Sequence, residues 1–452
     1  MIENFKKAIF RINYQYKNRG NNYRLYKQQL ENQYKPIEQL EKIQLENLKK
    51  IVKHAYDHVP FYKRLYDNHD VKPEDIKALS DIQKLPVITK EDIRKRPLEN
   101  VTAENISKNR WIEHHTSGST NMPFLVISDK ESDSTEHAAW LRELDIIGYR
   151  LGDKILKIRN QYGRRQKVMS RIFGRETFIP CSELETDTRN AMKKIIDLKP
   201  DIIETFSNTA LDMARYLIHH DKKLQIKGML VIGSPLCEED KLIIRDTITP
   251  RVLKTYGASE VMRVAYQCDM EQGYHVDITR FVVEIIRKRK PAKEGQEGEI
   301  VITNLENYVM PFIRYRIKDS AVFTNKKCKC KRTFPLIQEI RGRLIEHTTT
   351  SSGKRIWLGL FNAILSPEVE SIYRFQIVKG TGAKVIVKIQ PTEKMTEDKL
   401  REIKNKIDKA FKKQLVYKIR LVEDIKPASS GKNILYKNES IYNLGGFDYN
   451  IK

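Results

Sequence analysis

The sequence predicts an α/β protein, with a large N-terminal α/β domain over 1–342 and a small α+β domain over 343–452. Three observations carry this. Between 110 and 320, short apolar runs alternate with helical stretches, the pattern of a layered α/β structure. Near 341–353, the run beginning RGRLIEHTTTSSG is rich in small, polar and turn residues and marks a boundary. Beyond it the chain reads as strand 356–361, helix 367–371, strands 373–379 and 384–389, helix 396–413 and strand 417–422, then a lysine-rich tail.

Residues 1–30 carry seven basic side chains and one acidic one, with tyrosines interleaved. This basic arm, extended to residue 35, reads as a loosely packed terminus with solvated charges. The alternative is a helix touching anionic lipid or glycan. Residues 37–68 read as helix, since Leu40, Ile43, Leu48, Ile51 and Val52 fall near a 3.6-residue period and Val59-Pro60 breaks it. Thr89-Lys-Glu-Asp92 reads as a helix cap. The apolar runs at 124–127, 155–158, 229–232 and 252–254 read as strands, and 134–147, 188–198, 207–220 and 238–246 as the helices between them. FVVEII and GEIVIT bracket a basic hairpin loop, read as a solvated tip.

With 452 residues, 40% of them apolar and 31% charged, the chain can bury a core, which excludes wholesale disorder. No window reaches the ~18 uninterrupted apolar residues of a membrane span, and the first twenty residues show no apolar signal core. Five cysteines without a secretory signal argue against a disulfide scaffold, so a cytoplasmic location is expected. The net charge of +24 favours acidic partners such as nucleotides, nucleic acid, anionic lipid or acidic glycans. A lysine- and asparagine-rich genome is the bland alternative.

Four hydroxyls surround one glycine in Thr116-Ser117-Gly118-Ser119-Thr120. Backbone N–H groups and hydroxyls of such a loop can wrap a polyphosphate. Three further segments follow in order. Lys254-Thr-Tyr-Gly-Ala-Ser-Glu260 ends a strand, Pro311-Phe-Ile-Arg-Tyr-Arg-Ile-Lys-Asp319 carries arginines and an aspartate, and Ser429-Ser-Gly-Lys432 sets a lysine behind a glycine. Each is weak alone; their order and spacing are not.

Together they resemble the adenylate-forming superfamily, which includes acyl-CoA synthetases. The resemblance is to its phenylacetate–CoA ligase branch and the CapK-like proteins of capsule-biosynthesis loci, and it covers about 45 to 435. HHTSGST at 114–120, VIGSPLCEEDK at 231–241, YGASE at 256–260, GEIVIT at 298–303, PFIRYRIKD at 311–319, Gly342-Arg343 and HAYDHVPFYKRLYD at 54–67 carry it. It implies an acyl-CoA synthetase-like fold and a ligase that joins a carboxylate to ATP as an acyl-adenylate, then passes the acyl group to coenzyme A or to a sugar or carrier acceptor. Thr116 to Thr120 would hold phosphates. Gly233, Ser234, Pro235, Tyr256, Gly257, Ala258 and Ser259 would form the adenine slot. Asp319 and Arg343 would meet the ribose. Glu260 would bind Mg²⁺, Lys432 would reach the α-phosphate, and Glu346 would mark the hinge. The sequence departs from the family at Asn121, where glycine is usual, at Ser234, where glutamate is usual, and in lacking a phosphate-loop lysine.

Cys268-x6-His275 with Cys328-x-Cys330 offers thiolates and an imidazole suited to tetrahedral Zn²⁺. Four protein ligands leave no open position, so the expected zinc is structural. The acyl pocket is expected around His115, Trp140, Phe206 and Ser207. Two readings result. The first is an ATP-dependent acid ligase, serving cell-surface or capsular polysaccharide synthesis. Nucleic acid is not expected as its partner, a peripheral membrane contact stays open, and the oligomeric state is unset, with a dimer among the options. The second is a catalytically degenerate relative that binds nucleotide or nucleic acid around a structural zinc.

Overall fold

The computed structural model describes residues 7, 8, 10, 20–115, 124–159, 175–233, 236, 238–343, 347–349, 355–358, 360–380, 384–411, 415–425 and 436–438. β1 (Trp111–His115) and β2 (Leu125–Asp129) form an antiparallel pair. β3 (Ile155–Arg159), β4 (Glu176–Pro180), β5 (Ile202–Phe206), β6 (Gly228–Ile232) and β7 (Val252–Ala258) pair in parallel. From β7 the sheet runs on with antiparallel pairing through β8 (Met262–Tyr266), β9 (Tyr274–Val276), β10 (Phe281–Arg287), β11 (Lys290–Pro291), β12 (Glu297–Asn304), β13 (Tyr315–Phe323) and β14 (Leu336–Arg343). The spatial order is β11-β10-β12-β13-β14-β9-β8-β7-β6-β5-β3-β4.

The parallel half is covered on both faces, which is why its strands read as near-continuous apolar runs. One face places Ile158, Ile203, Met229 and Val231 against Met192, Ile195, Met213, Leu217 and Ile244 of the helices Thr188–Leu198, Ser207–His219 and Glu238–Thr247. The other packs Ile155, Ile202, Leu230 and Leu253 on Trp140, Leu141 and Leu144 of the helix Lys130–Ile146. That helix starts at Asp129, whose carboxylate accepts the Ser132 N–H at 2.9 Å. The chain passes from β3 out to β4 and back across β3 to β5. The neighbours β3 and β5 therefore flank a topological switch point, where open α/β sheets bind ligands beyond the strand carboxyl ends.

The helices Ile37–His58 and Pro60–Asp67 meet at the expected Val59-Pro60 break, with the proline opening the second helix. Thr89 and Asp92 form the expected capping box. The hairpin tip carries Lys288 and Arg289 at positive φ and is exposed, as read from the sequence. The basic arm needs correction. Residues Gly20–Asn32 form a helix packed on Lys130–Ile146, with Tyr26, Gln29, Asn32 and Gln33 buried. The side chain of Gln29 accepts from Arg142 Nη1 at 2.7 Å and that of Gln33 from the Tyr266 hydroxyl at 2.9 Å. Tyr23, Tyr26 and Leu30 pack this helix on the core beside these polar anchors, a stripe too tyrosine-rich and too interrupted by charge to stand out as hydrophobic periodicity.

In the C-terminal segment β15 (His347–Thr349) pairs with β16 (Arg355–Trp357). A second sheet has the order β19-β18-β17-β20, from β17 (Ile372–Lys379), β18 (Lys384–Pro391), β19 (Val416–Leu421) and β20 (Tyr436–Asn438). The helix Glu397–Phe411 covers it through Ile403, Ile407 and Phe411. The expected helix over 367–371 lies instead at Leu360–Leu365, shortening the expected strand 356–361. Ser366-Pro367 ends the helix, because the proline disfavours helical backbone before it. Three polar contacts seat this segment on the parallel half. Arg374 pairs with Asp212 at 3.1 Å, Arg215 Nη1 donates to the Tyr373 carbonyl at 2.8 Å, and Asn362 donates to Asp240 at 2.9 Å.

Candidate active site

YGASE forms the end of β7 and the turn into β8. A Cβ on Gly257 would stand 2.0 Å from the Met262 carbonyl oxygen, so the turn accepts only hydrogen there. The Tyr256 hydroxyl donates to Asp319 Oδ2 at 2.9 Å, joining two motifs 63 residues apart. Asp319 stands opposite Arg343 in the β13–β14 register. Gly233 follows β6 at φ +86°, and a Cβ there would meet the Phe206 ring at 2.9 Å. Gly233, Tyr256, Gly257, Ala258, Ser259, Glu260 and Asp319 thus lie where the parallel sheet ends and the antiparallel sheet begins.

Glu260, largely buried, receives Lys90 Nζ at 3.2 Å and the Tyr315 hydroxyl at 3.5 Å. Lys90 also stands 4.8 Å from the centroid of the Phe124 ring. It opens the capped helix Lys90–Arg94, and Ile88 just before it hydrogen-bonds through its backbone to Arg314 and Arg316, flanking Tyr315. Motif reading did not single out this lysine. It is 170 positions from Glu260, and its only local signal is the cap. Thr116, Ser117, Gly118, Ser119, Thr120, Asn121, Ser234, Pro235, Cys237, Glu346 and Lys432 lie outside the described residues, and only the backbone of His115 and Arg343 is described. His114 meets the Ser128 hydroxyl at 2.8 Å across the β1–β2 hairpin, a scaffold contact.

Of the expected acyl-pocket residues, Trp140 lies over an ionic bed that the motifs did not disclose, while Phe206 ends β5 and Ser207 opens the helix that follows. By β alternation and the Lys157–Glu204 register, Lys157, Arg159 and Glu204 share the sheet face turned to Trp140. Glu204 is fully buried and accepts from Trp140 Nε1, from Arg159, and from Arg263 Nη2 at 3.1 Å. Lys157 pairs with Glu176 at 2.9 Å and stands 3.9 Å from the Trp140 ring centroid. The network runs on from Arg263 to Glu136 at 2.6 Å, to Arg280 at 2.9 Å and to Glu306 at 2.7 Å. Burial pushes the Glu143 carboxyl up to about 7, with Arg263 and Arg142 opposing. Burial likewise raises Glu306 to about 7 against Arg280. One signal was available: a charged residue inside each of the apolar strands ILKIR and IIETF.

On the antiparallel half, β8, β9 and the loop before β14 bring Cys268, His275, Cys328 and Cys330 together, all four ligand atoms within 4.8 Å of one another. The Cys268 and Cys328 sulfurs are 3.5 Å apart, and Cys330 Sγ is 3.3 Å from His275 Nε2. His275 Nδ1 donates to the Phe334 carbonyl at 3.1 Å, which leaves the Nε2 lone pair facing the thiols. Such an outer contact orients a metal-ligating histidine, and the donor set fits tetrahedral zinc. Cys181 is a buried thiol 3.8 Å from the Thr209 hydroxyl.

Residues 348–439 match the family model of the CapK C-terminal domain. A phenylacetate-coenzyme A ligase from Thermus thermophilus is 26% identical over 378 residues, covering 79% of this chain and 83% of that one. Protein CapK from Staphylococcus aureus is 23% identical over 281 residues, 59% of each chain. The crystal structure of 2-hydroxyisobutyryl-CoA ligase in its postadenylation state, in complex with 2-HIB-AMP, superposes with a TM-score of 0.75 at 18% identity, covering 90% of this chain and 91% of that one. Fold and sequence define the class: an AMP-forming acid ligase of the adenylate-forming superfamily. Within it the chain is similar to the phenylacetate–coenzyme A ligases along most of its length and to CapK in its C-terminal segment. Among the described residues, no helix is long and apolar enough to cross a membrane.

Proposed function

We propose that the protein activates a carboxylic acid as its acyl-adenylate with ATP and passes the acyl group to coenzyme A. The observation that carries this reading is the Tyr256–Asp319 hydrogen bond, which draws two separate nucleotide motifs into one site beside Glu260 and Lys90. In the first step a carboxylate oxygen of the acid attacks the α-phosphorus of ATP. The bond to the bridging oxygen breaks, and pyrophosphate leaves with the electron pair. In the second, the thiol of coenzyme A attacks the acyl carbon, AMP leaves, and the thiol proton goes to solvent. Tyr256 and Asp319 orient the nucleoside. Lys90 brings a cation toward the phosphate end, the charge that the phosphate loop itself lacks. Glu260 offers a carboxylate beside it, a ligand type that suits Mg²⁺; bound there, the ion would neutralise phosphate charge. Lys432 is assigned the α-phosphate.

The Cys268, His275, Cys328 and Cys330 cluster is assigned a structural zinc. Residues 343–452 are assigned the role of a module that reorients between the two steps, in a cytoplasmic enzyme. A place for the reaction in surface-polysaccharide synthesis is part of the same proposal and rests on the resemblance to the CapK-like proteins alone. The test is ATP–pyrophosphate exchange against a panel of aromatic, fatty, hydroxy and amino acids, followed by addition of coenzyme A. Acid-dependent exchange and a thioester product are expected, both lost in Lys432→Ala. Exchange without thioester would move the acceptor to a sugar or carrier. Protein that binds ATP but exchanges with no acid would overturn the reading.

A further inference from the structure

We propose that the acid activated here carries a second anionic group, remote from the reacting carboxylate, and that the guanidinium of Arg159, held by Glu204, binds it. This rests on the adenylation reading and names its substrate class. Arg159 ends β3 and Glu204 lies on β5, the two strands that flank the switch point. Two residues on from Glu204, Phe206 ends β5 beside the Gly233 position, so the strand that carries the ionic bed runs to the nucleotide end of the site.

The members of the bed differ in what they can offer a ligand. Glu204 is saturated, with three donors on two oxygens and no exposed surface. Arg263 is occupied by Glu136, Glu143 and Glu204, and Lys157 by Glu176 and the Trp140 face. Arg159 is different. Its side chain keeps 32% of its surface, Glu204 takes Nη2, and its Nε is buried without a hydrogen-bond partner, which leaves Nη1 uncommitted. A guanidinium anchored through Nη2, with Nη1 uncommitted and part of its surface exposed, is preorganised to present that side to a planar acceptor such as carboxylate. An acid ending in methyl or phenyl would strip water from that side and return nothing to it. The net charge of +24 acts in the same direction, raising the local concentration of anionic substrates.

The experiment uses the full chain in ATP–pyrophosphate exchange with carbon-matched pairs: valerate against glutarate, hexanoate against adipate, and 4-methylphenylacetate against 4-carboxyphenylacetate. In the pair that fits the site, the diacid is expected to exceed its partner in kcat/KM by about 10–100-fold, the discrimination of a charged hydrogen-bonding site that keeps some access to water. Arg159→Met should collapse that ratio toward one by raising the diacid KM, and Arg159→Lys should keep part of it. Monoacids that exchange as well as diacids would overturn this inference and leave adenylation standing. Protein that exchanges with none of the acids here or in the wider panel would overturn both. If Arg159→Met fails to melt cooperatively, the wild-type ratio alone decides.

Discussion

Replacing Glu204 by glutamine tests the ionic bed most directly. The carboxylate has no solvent exposure and stands among the donors Trp140 Nε1, Arg159 and Arg263. Glutamine keeps the shape but supplies one acceptor oxygen and turns an NH₂ toward the remaining donors. It also removes the negative charge between two guanidinium groups. Breaking a buried, hydrogen-bonded ion pair costs about 3–5 kcal/mol. Arg159 is partly exposed, and a solvated pair is worth only ~0–1 kcal/mol, so the lower part of that range, about 3–4 kcal/mol, applies here. An unfolding entropy of ~2.1 cal/mol/K per residue over roughly 340 residues gives about 0.7 kcal/mol/K, so Tm should fall by about 4–6 °C. Scanning calorimetry of the two proteins at pH 7.5 measures this. A Tm within about 1 °C of wild type would refute the reasoning, since Glu204 could not then be a desolvated charge compensated by its donors.

Glu260→Gln should lower ATP–pyrophosphate exchange by about 10²–10³, the usual loss for one preorganised electrostatic contact. Lys90→Ala should raise the ATP KM, and an unchanged ATP KM there would remove that lysine from the phosphate end. Purified protein should hold about one zinc per chain, lost when Cys328 and Cys330 are both changed to serine; a fully folded, zinc-free wild type would refute the metal centre. Glu143 and Glu306 are raised to about 7 by burial from an ordinary 4.5. Between those values the folded state binds more protons than the unfolded one, so both residues make stability fall as pH rises from about 4.5 to about 7. Glu143→Gln and Glu306→Gln should each flatten that part of the Tm–pH curve relative to wild type, and parallel curves would contradict the shifts.

Much of the fold was legible because local rules agreed with the tertiary outcome. The helix at 188–198 agreed to the residue, and 207–220 and 238–246 to within one, because each buries one apolar stripe on the parallel sheet. The Val59-Pro60 break and the Thr89 cap also held, being set by backbone sterics and a side-chain oxygen within a few residues. The helix Gly20–Asn32 escaped because its buried stripe is mostly tyrosine among basic residues, and its polar anchors at Gln29 and Gln33 meet Arg142 and Tyr266, remote in sequence. The C-terminal helix lies at Leu360–Leu365 because the apolar residues that pack on the sheet are in LFNAIL, ahead of the Ser366-Pro367 stop.

The sequence by itself determined the class of protein and the identity of its motif residues. Tyr256, Gly257, Glu260, Asp319 and the Cys/His set are recognisable because their chemistry and spacing are local properties. Tertiary structure alone decided which of them meet. It alone set Lys90 on Glu260, Tyr256 on Asp319, and the charges of ILKIR and IIETF beneath Trp140. The physical reason is that burial and strand order are global. A lysine or glutamate in an apolar strand is an anomaly when read alone, and becomes a site only when the sheet stacks the two strands side by side.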